Sequence, residues 1–290
     1  MKVLLTGKNG QVGYELVRGL QALAEVVATD RDSFDLASTA EIEQKIKAIN
    51  PDLIINAAAY TAVDKAEQDY QQAHLINSVA PGQIAKTCRK LDIPIIHFST
   101  DYVFDGSREV PWKETDTPSP INTYGETKLG GELAVQASGA AYMIFRTSWV
   151  YGARGQNFYR TMCRLAEEKT SLNIVDDQIG APTWSRHIAD VVCQIVTMAK
   201  SGKQDFWQEN SGLYHLTASG QTSWCGFANA IFEELSQKQL TTPAVTAITS
   251  KDYPLPAKRP AYSCLDNSLL NERFLIELPH WRDSLVLLMR

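Results

Sequence analysis

The sequence predicts an α/β fold, a doubly wound parallel sheet with a smaller carboxyl-terminal lobe. Short runs of branched apolar residues alternate with longer stretches of helical periodicity through the first half of the chain. The runs are apolar throughout, as expected of parallel strands that helices cover on both faces. Glycines directly follow the first run and open the first helical stretch, which is typical of this fold class.

The periodicity places the elements in a regular order in the first half of the chain and a looser one afterwards. We predict strands at residues 2–6, 25–29, 52–56, 93–99, 141–147, 172–176 and 213–217. We predict helices at residues 11–22, 39–49, 70–91, 124–138, 155–168, 185–200 and 222–237, a polar loop at 201–212 and a proline-rich ordered loop at 249–268. Residues 1–150 therefore form the predicted first domain. Residues 151–290 form mainly a smaller lobe, from which late helices can return to the first domain.

The composition predicts a soluble globular protein. The chain has 290 residues, of which 44% are hydrophobic and 21% are charged, and its formal net charge is −5. This charge gives no reason to expect nucleic acid or a membrane as a partner. The five cysteines form no C-x-x-C and the five histidines are scattered, so we expect reduced thiols and no metal site. We see no signal peptide or apolar run of about 18 residues, and expect a cytoplasmic location.

The glycines of the first turn indicate dinucleotide binding. Gly7, Gly10 and Gly13 follow the first strand at a spacing of three residues. Glycine permits a tight turn, lets the backbone approach a pyrophosphate and allows the helix to pack closely on its strand. The helix then directs unpaired N–H groups at the phosphates. We therefore predict a Rossmann-type sheet.

The end of the second predicted strand leaves the choice of cofactor open. Asp30 is placed to bind the 2′-hydroxyl of an adenosine ribose, whereas Arg31 would favour a 2′-phosphate. Both are present, so the cofactor is NADPH or NADH. Asp35 and Leu36 are candidates to flank the adenine, with a solvated loop as the alternative. After the strand at residues 52–56, small residues leave room for the dinucleotide, which Ala59, Tyr60 and Thr61 would border.

Three later residues form a candidate carbonyl-reducing site. Thr100 ends a strand, and Tyr124 and Lys128 stand four residues apart, on one face of a predicted helix. A ketone that accepts hydride develops negative charge on its oxygen and needs a proton from a nearby acid. A tyrosine holds its proton at neutral pH, and an ammonium nearby favours the phenolate as the proton leaves. Lys128 is also placed to hold the nicotinamide ribose, and Thr100 to orient the carbonyl.

Together these residues resemble the extended short-chain dehydrogenases/reductases and, within them, the family of dTDP-4-dehydrorhamnose reductases. The resemblance covers essentially the whole chain and rests on LLTGKNGQVGYEL, INAAAYTAVDKAE, STDYVFDG, PINTYGETKLGGE, FRTSWVYG, DDQIGAPTW and GLYHLTASGQTSW. It implies reduction of the C4 keto group of dTDP-6-deoxy-L-lyxo-4-hexulose to give dTDP-L-rhamnose.

The resemblance also implies roles for individual residues. Thr100, Tyr124 and Lys128 would be catalytic, with Tyr124 as the proton donor. Asp101 and Trp149 would contact the sugar nucleotide, although Trp149 could equally be an aromatic anchor between the lobes. The residues that would touch the cofactor are Gly10, Gln11, Val12, Asp30, Asp35, Leu36, Ala59, Tyr60 and Thr61.

A basic loop supplies a candidate partner for the substrate's diphosphate. The first helix N-terminus is expected to serve the cofactor, so a cation from the second lobe should meet the two remaining negative charges. Lys258 and Arg259 lie between Pro256 and Pro260, and arginine binds phosphate oxygens in a bidentate manner. We predict that Arg259 binds the diphosphate. The alternative is a solvated basic turn.

One position departs from the family pattern. The resemblance implies, for some members, a dimer around a metal that glutamates hold. Glu15 matches the first glutamate, but Arg186 stands at the second position. A cation cannot ligate Mg²⁺, so we expect no metal. A homodimer formed in another way stays possible.

Three alternative functions share parts of this pattern. A nucleotide-sugar 4,6-dehydratase needs an acid–base pair, typically Thr-Asp-Glu, where this chain has Thr100, Asp101 and Tyr102. A UDP-sugar 4-epimerase shares the catalytic set and differs in its substrate pocket. The regulatory β-subunit of methionine adenosyltransferase has the same fold without a catalytic role.

Overall fold

The computed structural model describes residues 1–202 and 205–290. The strands are β1 (Lys2–Thr6), β2 (Glu25–Thr29), β3 (Leu53–Asn56), β4 (Ile95–Thr100), β5 (Tyr142–Thr147), β6 (Val150–Tyr151), β7 (Ser171–Val175), β8 (Ile179–Gly180), β9 (Thr183–Trp184), β10 (Gly212–His215), β11 (Thr222–Ser223) and β12 (Ala244–Ile248). The helices are α1 (Gln11–Leu20), α2 (Ile42–Ile49), α3 (Val63–Ala66), α4 (Tyr70–His74), α5 (Ala80–Leu91), α6 (Thr123–Gln136), α7 (Phe158–Glu168), α8 (Ser185–Ser201), α9 (Phe206–Glu209), α10 (Trp224–Gln237), α11 (Ser268–Phe274) and α12 (Trp281–Met289).

Six parallel strands form the main sheet, in the order β10-β5-β4-β3-β1-β2. The chain leaves β1 toward β2 on one side and returns to β3 on the other, so the winding direction changes beside β1. In open parallel sheets ligands bind beyond the carboxyl ends of the strands at such a point. The predicted α/β fold is confirmed.

An apolar core lies on each face of the main sheet, and neighbouring residues of a strand contribute to opposite cores. Val3 and Leu5 face the cluster that contains Leu16 of α1 and Ile188 of α8. Leu4, between them, faces the opposite cluster, which holds residues of α2 and α5. Side chains alternate along a strand, so a continuous apolar run serves both faces.

The chain after residue 150 contributes to two cores. Helices α7, α10 and α12 form a separate apolar cluster that contains Met162, Phe227, Ile231 and Leu285. In contrast, α8 and α11 pack on the main sheet, and β10 pairs with β5. Strand β12 pairs with β7 in a small parallel sheet. Among the described helices, none is long and apolar enough to cross a membrane.

The structure refines several element predictions. The predicted helix at 70–91 is continuous but changes to π-helix over Leu75–Val79, between α4 and α5. The predicted loop at 201–212 includes residues 203 and 204, which lie outside the described residues. In its described part the loop prediction was wrong, because α9 occupies Phe206–Glu209. The proline-rich loop at 249–268 contains a 3-10 turn, Ser250–Asp252, before α11 begins.

Candidate active site

One large cavity lies at the carboxyl edge of the sheet. Its volume is about 960 Å³, and its walls come from the segments after β1 to β5 together with Trp224 of α10. Of the predicted site residues, it is lined by Gly7, Gly10, Gln11, Val12, Asp30, Arg31, Asp35, Leu36, Ala59, Tyr60, Thr61, Thr100, Asp101, Tyr124, Lys128 and Trp149. Gly13 and Arg259 are not among the residues that line it.

The glycine turn requires its glycines for steric reasons. Gly7 has a φ of +78°, and a Cβ there would lie 2.8 Å from the backbone nitrogen of Ala58. A Cβ on Gly13 would lie 2.0 Å from the carbonyl oxygen of Gly7. Gly13 therefore lets α1 approach the turn, and Gly10 begins the helix without a side-chain cap. The turn leaves the N-terminus of α1 open toward the cavity, as a pyrophosphate site needs.

The Gln11 side chain is engaged with the protein. It donates to the carbonyl of Val150 at 3.2 Å and accepts from the amide of Asn157 at 2.8 Å. These bonds tie the start of α1 to the segment after β5. The side chain thereby joins two segments that line the cavity.

The carboxylate of Asp30 is already paired. Lys8 of the glycine turn lies 2.9 Å from it, and the hydroxyl of Ser33 donates to it at 2.7 Å. The hydrogen bond with Lys8 has the largest effect on the pKa of Asp30, and those with Ser33 come next. Together they hold this pKa well below its usual range. Lys8 was not predicted as a site residue, although its position inside the turn could have indicated it. Lys8 also lines a smaller cavity that adjoins the glycine turn, together with Arg154 and Arg160.

The wall after β3 is tied to α6 through the π-helix. Asn77 accepts from the backbone nitrogen of Tyr60 at 2.8 Å and donates to its carbonyl at 3.1 Å. The same amide donates to the hydroxyl of Thr127 on α6 at 3.1 Å. π-Helical turns often occur at functional sites, and this one links the predicted cofactor wall to the helix that carries Tyr124.

Tyr124 and Lys128 lie on the first two turns of α6. The helix begins at Asn122, whose side chain accepts from the backbone nitrogen of Gly125 at 2.8 Å. A Cβ on Gly125 would lie 2.1 Å from the carbonyl oxygen of Tyr102, so this glycine lets the helix approach the end of β4. The predicted residues Thr100, Tyr124 and Lys128 thus meet at one wall of the cavity.

Burial shifts the pKa values of both helix residues. It raises the pKa of Tyr124 to about 12, and the nearby Thr100 hydroxyl opposes this rise. Burial lowers the pKa of Lys128 to about 8, and the nearby carboxylate of Glu132 opposes it. Glu132 is itself buried and pairs with Arg146 of β5 at 2.6 Å. The phenol therefore keeps its proton at neutral pH, beside a lysine that is charged there.

Asp101 is a buried carboxylic acid at the cavity wall. Its Oδ1 accepts from the hydroxyl of Thr100 at 3.0 Å, and within residues 1–202 and 205–290 its Oδ2 has no hydrogen-bond partner. Burial raises the pKa of Asp101 to about 7. Tyr102, which follows it, packs edge to face on the Tyr124 ring with centroids 5.8 Å apart. A phenol thus occupies the position where a dehydratase has its second carboxylate.

Trp149 and Trp224 stack on each other at the cavity. Their ring centroids are 3.5 Å apart and their planes differ by 3°. Trp149 has a left-handed backbone with a φ of 46°. Trp224 was not predicted as a site residue, because on the sequence it is one tryptophan at a helix start, with no signal of its neighbour.

Arg259 is held by an acidic residue of the first lobe. Its two terminal nitrogens donate to the Asp64 carboxylate at 2.9 and 2.7 Å, and one also donates to the carbonyl of Ala257 at 2.7 Å. The carbonyl of Lys258 accepts from the side chain of Asn122 at 2.7 Å. The basic loop therefore docks on α3 and on the start of α6.

Glu15 and Arg186 stand at the two positions where some family members hold a metal with glutamates, and in this structure both side chains make other contacts. Glu15 accepts from Arg18 at 2.9 Å, and the Arg186 guanidinium lies 5.6 Å from the ring centre of Trp184. In the described parts of the chain, no group of three or more histidine, cysteine, aspartate or glutamate residues is placed to hold a metal ion.

Comparison with known proteins gives concordant results. The profile of the RmlD substrate binding domain matches residues 1–290. The chain is 46% identical to a dTDP-4-dehydrorhamnose reductase of Burkholderia thailandensis, over 100% of this chain and 98% of that protein. It is 43% identical to one of Escherichia coli K12, over 97% and 95%. The structure resembles that of a dTDP-4-dehydrorhamnose reductase of Bacillus anthracis in complex with NADP, with a TM-score of 0.91, 31% identity and coverage of 99% and 98%. The chain belongs to the RmlD substrate binding domain family, the family of the dTDP-4-dehydrorhamnose reductases.

Proposed function

We propose that this protein reduces the C4 keto group of dTDP-6-deoxy-L-lyxo-4-hexulose with NADPH or NADH and yields dTDP-L-rhamnose. The observation that carries the proposal is the meeting of Thr100, Tyr124 and Lys128 at a cavity whose other end is the glycine turn. The names of full-length relatives support the substrate, and the NADP complex of one relative supports the cofactor class. The reaction belongs to dTDP-rhamnose biosynthesis.

The residues at the first turn fit a dinucleotide. A Cβ on Gly7 would fill the turn, and the N-terminus of α1 meets the cavity. Gly10, Gln11 and Val12 would hold the pyrophosphate, while Asp30 and Arg31 would face the adenosine ribose. The remainder of the cofactor would be bordered by Asp35, Leu36, Ala59, Tyr60 and Thr61. When bound, the cofactor supplies the hydride.

The chain's own residues would supply the proton and the electrostatic stabilisation. The Thr100 hydroxyl orients the ketone oxygen, and Tyr124 gives its phenolic proton to that oxygen as negative charge develops there. The resulting phenolate is stabilised by the Lys128 ammonium, worth about 4 kcal/mol at about 4 Å in an effective dielectric of about 20. The phenol regains its proton from solvent. The Lys128 ammonium also holds the nicotinamide ribose.

Asp101, Trp149 and Arg259 are proposed to bind the sugar nucleotide. Asp101 has a buried oxygen without a partner in the described ranges, and it lies beside Thr100. Trp149 lines the cavity one strand away from Thr100, since Thr147 pairs in register with Thr100. Arg259 would meet the diphosphate by exchanging its Asp64 contact for phosphate oxygens, at the edge where the basic loop meets α3.

A cytoplasmic location is part of the proposal. Its support is that the five cysteines are all free thiols, three of them buried, as expected in a reducing compartment. A homodimer is compatible with this proposal, and sedimentation velocity on the purified chain would measure the oligomeric state.

A substrate panel tests the proposed function against its alternatives. The purified protein is incubated with dTDP-6-deoxy-L-lyxo-4-hexulose, dTDP-glucose or UDP-galactose, with NADPH, with NAD⁺ or without cofactor, and the products are separated by ion-exchange chromatography. We expect turnover of the ketosugar alone, dependent on the reduced cofactor. Loss of water from dTDP-glucose would favour a dehydratase, conversion of UDP-galactose an epimerase, and inactivity on all three a non-catalytic role.

A further inference from the structure

We propose that Gln178 and Trp224 are positioning residues that hold the Trp149 indole against the sugar ring of the substrate. The proposal rests on the proposed function for the identity of the sugar. Gln178 lies outside the cavity and contacts Trp224, which in turn stacks on Trp149 at the cavity wall. Neither Gln178 nor Trp224 belongs to the predicted site.

Trp149 needs support because its backbone is unfavourable. A tryptophan with a φ of 46° lies in the left-handed region, and such non-glycine residues cost about 1–3 kcal/mol unless their surroundings hold them. The segment around Trp149 is held by the pairing of β6 with β9. Its indole has room because Gly180 has no side chain, since a Cβ there would lie 2.4 Å from the ring.

Trp224 holds the Trp149 ring by stacking, and Gln178 holds Trp224. The indole N–H of Trp224 donates to Oε1 of Gln178 at 3.2 Å. The Gln178 amide donates in turn to the Ser250 hydroxyl at 2.9 Å, and Gln178 is only 8% exposed. Phe158 packs on Trp224 with centroids 4.6 Å apart. The position of Trp224 is therefore determined by a hydrogen bond and an aromatic contact, independently of any ligand.

The stack points to the sugar as the ligand group. Trp149 follows Thr147 by two residues, and Thr147 pairs in register with Thr100, whose hydroxyl is assigned to the reacting carbonyl. Trp224 covers one face of the indole and Gly180 lies over the other, so the ring meets the cavity with its edge. A 6-deoxyhexulose carries a methyl group and C–H bonds, which would contact the apolar edge of the indole, whereas its oxygens would meet Thr100 and Asp101. By fixing the indole, the stack would set where this edge meets the deoxysugar at the point of reaction.

Steady-state kinetics test this positioning role. In Gln178→Leu and Trp224→Leu we expect the KM for the ketosugar nucleotide to rise about ten-fold, about 1.4 kcal/mol, with a smaller change in kcat. The inhibition constant of dTDP and the KM for NADPH should stay unchanged. Gln178→Glu keeps an oxygen acceptor for the indole N–H and should restore most of the affinity. Trp207→Phe, outside the cavity, is the matched control. An unchanged KM in both leucine variants, or equal weakening of dTDP and the ketosugar, would overturn the proposal.

Fluorine NMR of protein labelled with fluorotryptophan supplies a readout that does not depend on turnover. The chain has 6 tryptophans, so single Trp→Phe variants assign each resonance. We expect Gln178→Leu to shift the Trp149 and Trp224 resonances without unfolding the protein, and dTDP-L-rhamnose to shift the Trp149 resonance more than dTDP does. If Gln178→Leu left the Trp149 resonance in place, the positioning role would be wrong even if the enzyme reduced the ketosugar. If wild type reduced no ketosugar while Gln178→Leu moved both resonances, only the proposed function would fail.

Discussion

The ammonium of Lys128 donates to the carbonyl of Phe98 at 2.6 Å. This bond joins α6 to β4 two residues before Thr100, in a place where the lysine side chain is almost fully buried. Lys128 thus has a fixed position relative to the strand end that carries Thr100. Its burial, however, makes its charge sensitive to pH.

The charge of Lys128 should be visible in the pH dependence of catalysis. Burial lowers its pKa to about 8, so the ammonium is present below that pH and is lost above it. We expect kcat/KM for the ketosugar to fall as pH rises through about 8. Lys128→Met should lose both turnover and cofactor affinity and should show no such fall. A wild-type profile that stays flat to pH 10 would contradict the assignment.

Tyr124→Phe should separate proton donation from binding. The ring keeps its packing on Tyr102, but the hydroxyl that donates the proton is gone. We expect kcat to fall by at least about 100-fold, equivalent to about 2.7 kcal/mol. The dissociation constant of NADPH, measured by calorimetry, should change little. Near-normal turnover in this variant would remove Tyr124 from the mechanism.

Asp101→Asn should stabilise the protein at neutral pH while it weakens substrate binding. Burial raises the pKa of Asp101 in the folded state to about 7, above its unfolded value, so the folded state binds more protons between about pH 4 and pH 7. Wild-type stability therefore falls in this window as pH rises, and asparagine removes that contribution. Thermal melts should show a Tm advantage of the variant that grows from pH 4 to pH 8. A Tm difference that is constant across this range would show that the carboxyl does not titrate as inferred.

Lys8 and Arg31 should favour the 2′-phosphate of NADPH. Lys8 neutralises Asp30, which would otherwise repel the phosphate, and Arg31 is exposed at the same edge of the cavity. We expect Lys8→Met and Arg31→Ala each to raise the KM for NADPH by more than that for NADH. The control is Lys47→Met, which removes an exposed lysine of α2 that pairs with Glu43 outside the cavity. Equal losses for both cofactors would place neither cation at the 2′ position.

Arg259 and Asp64 allow a test of the diphosphate proposal. If Arg259 binds the diphosphate, Arg259→Ala should raise the KM for the sugar nucleotide by about ten-fold or more, about 1.4 kcal/mol. Asp64→Asn frees the guanidinium from its ion pair and should not raise that KM. Equal KM increases in the two variants would instead mean that the pair only ties the basic loop to α3.

Much of the fold follows from local sequence patterns. The runs at residues 2–6, 25–29 and 52–56 are strands because branched apolar residues there serve both covered faces of a parallel sheet. Strand β12 was not predicted, since its residues are exposed or half-buried and each pairs with a residue of β7 that lies 73 positions earlier in the chain. Pairing at that distance leaves no local signal.

The candidate site also combines features that a local sequence pattern predicts with contacts between distant segments that it does not predict. Glycine spacing and the interval of four residues between Tyr124 and Lys128 are local features, so the sequence indicates the cofactor turn and the Tyr–Lys pair. Lys8 with Asp30, Asp64 with Arg259 and Trp149 with Trp224 are contacts between distant segments. The sequence shows that these charged and aromatic residues are present, but it does not indicate which of them contact each other.

The most direct test of the central claim is the stoichiometry of the proposed reaction. Wild-type protein is mixed with dTDP-6-deoxy-L-lyxo-4-hexulose and NADPH, the loss of nicotinamide absorbance is recorded, and the sugar nucleotide product is identified by NMR. We predict that one NADPH is oxidised for each dTDP-L-rhamnose formed, and that Tyr124→Phe abolishes both signals together. An unchanged ketosugar, or NADPH oxidation without dTDP-L-rhamnose, would contradict the account.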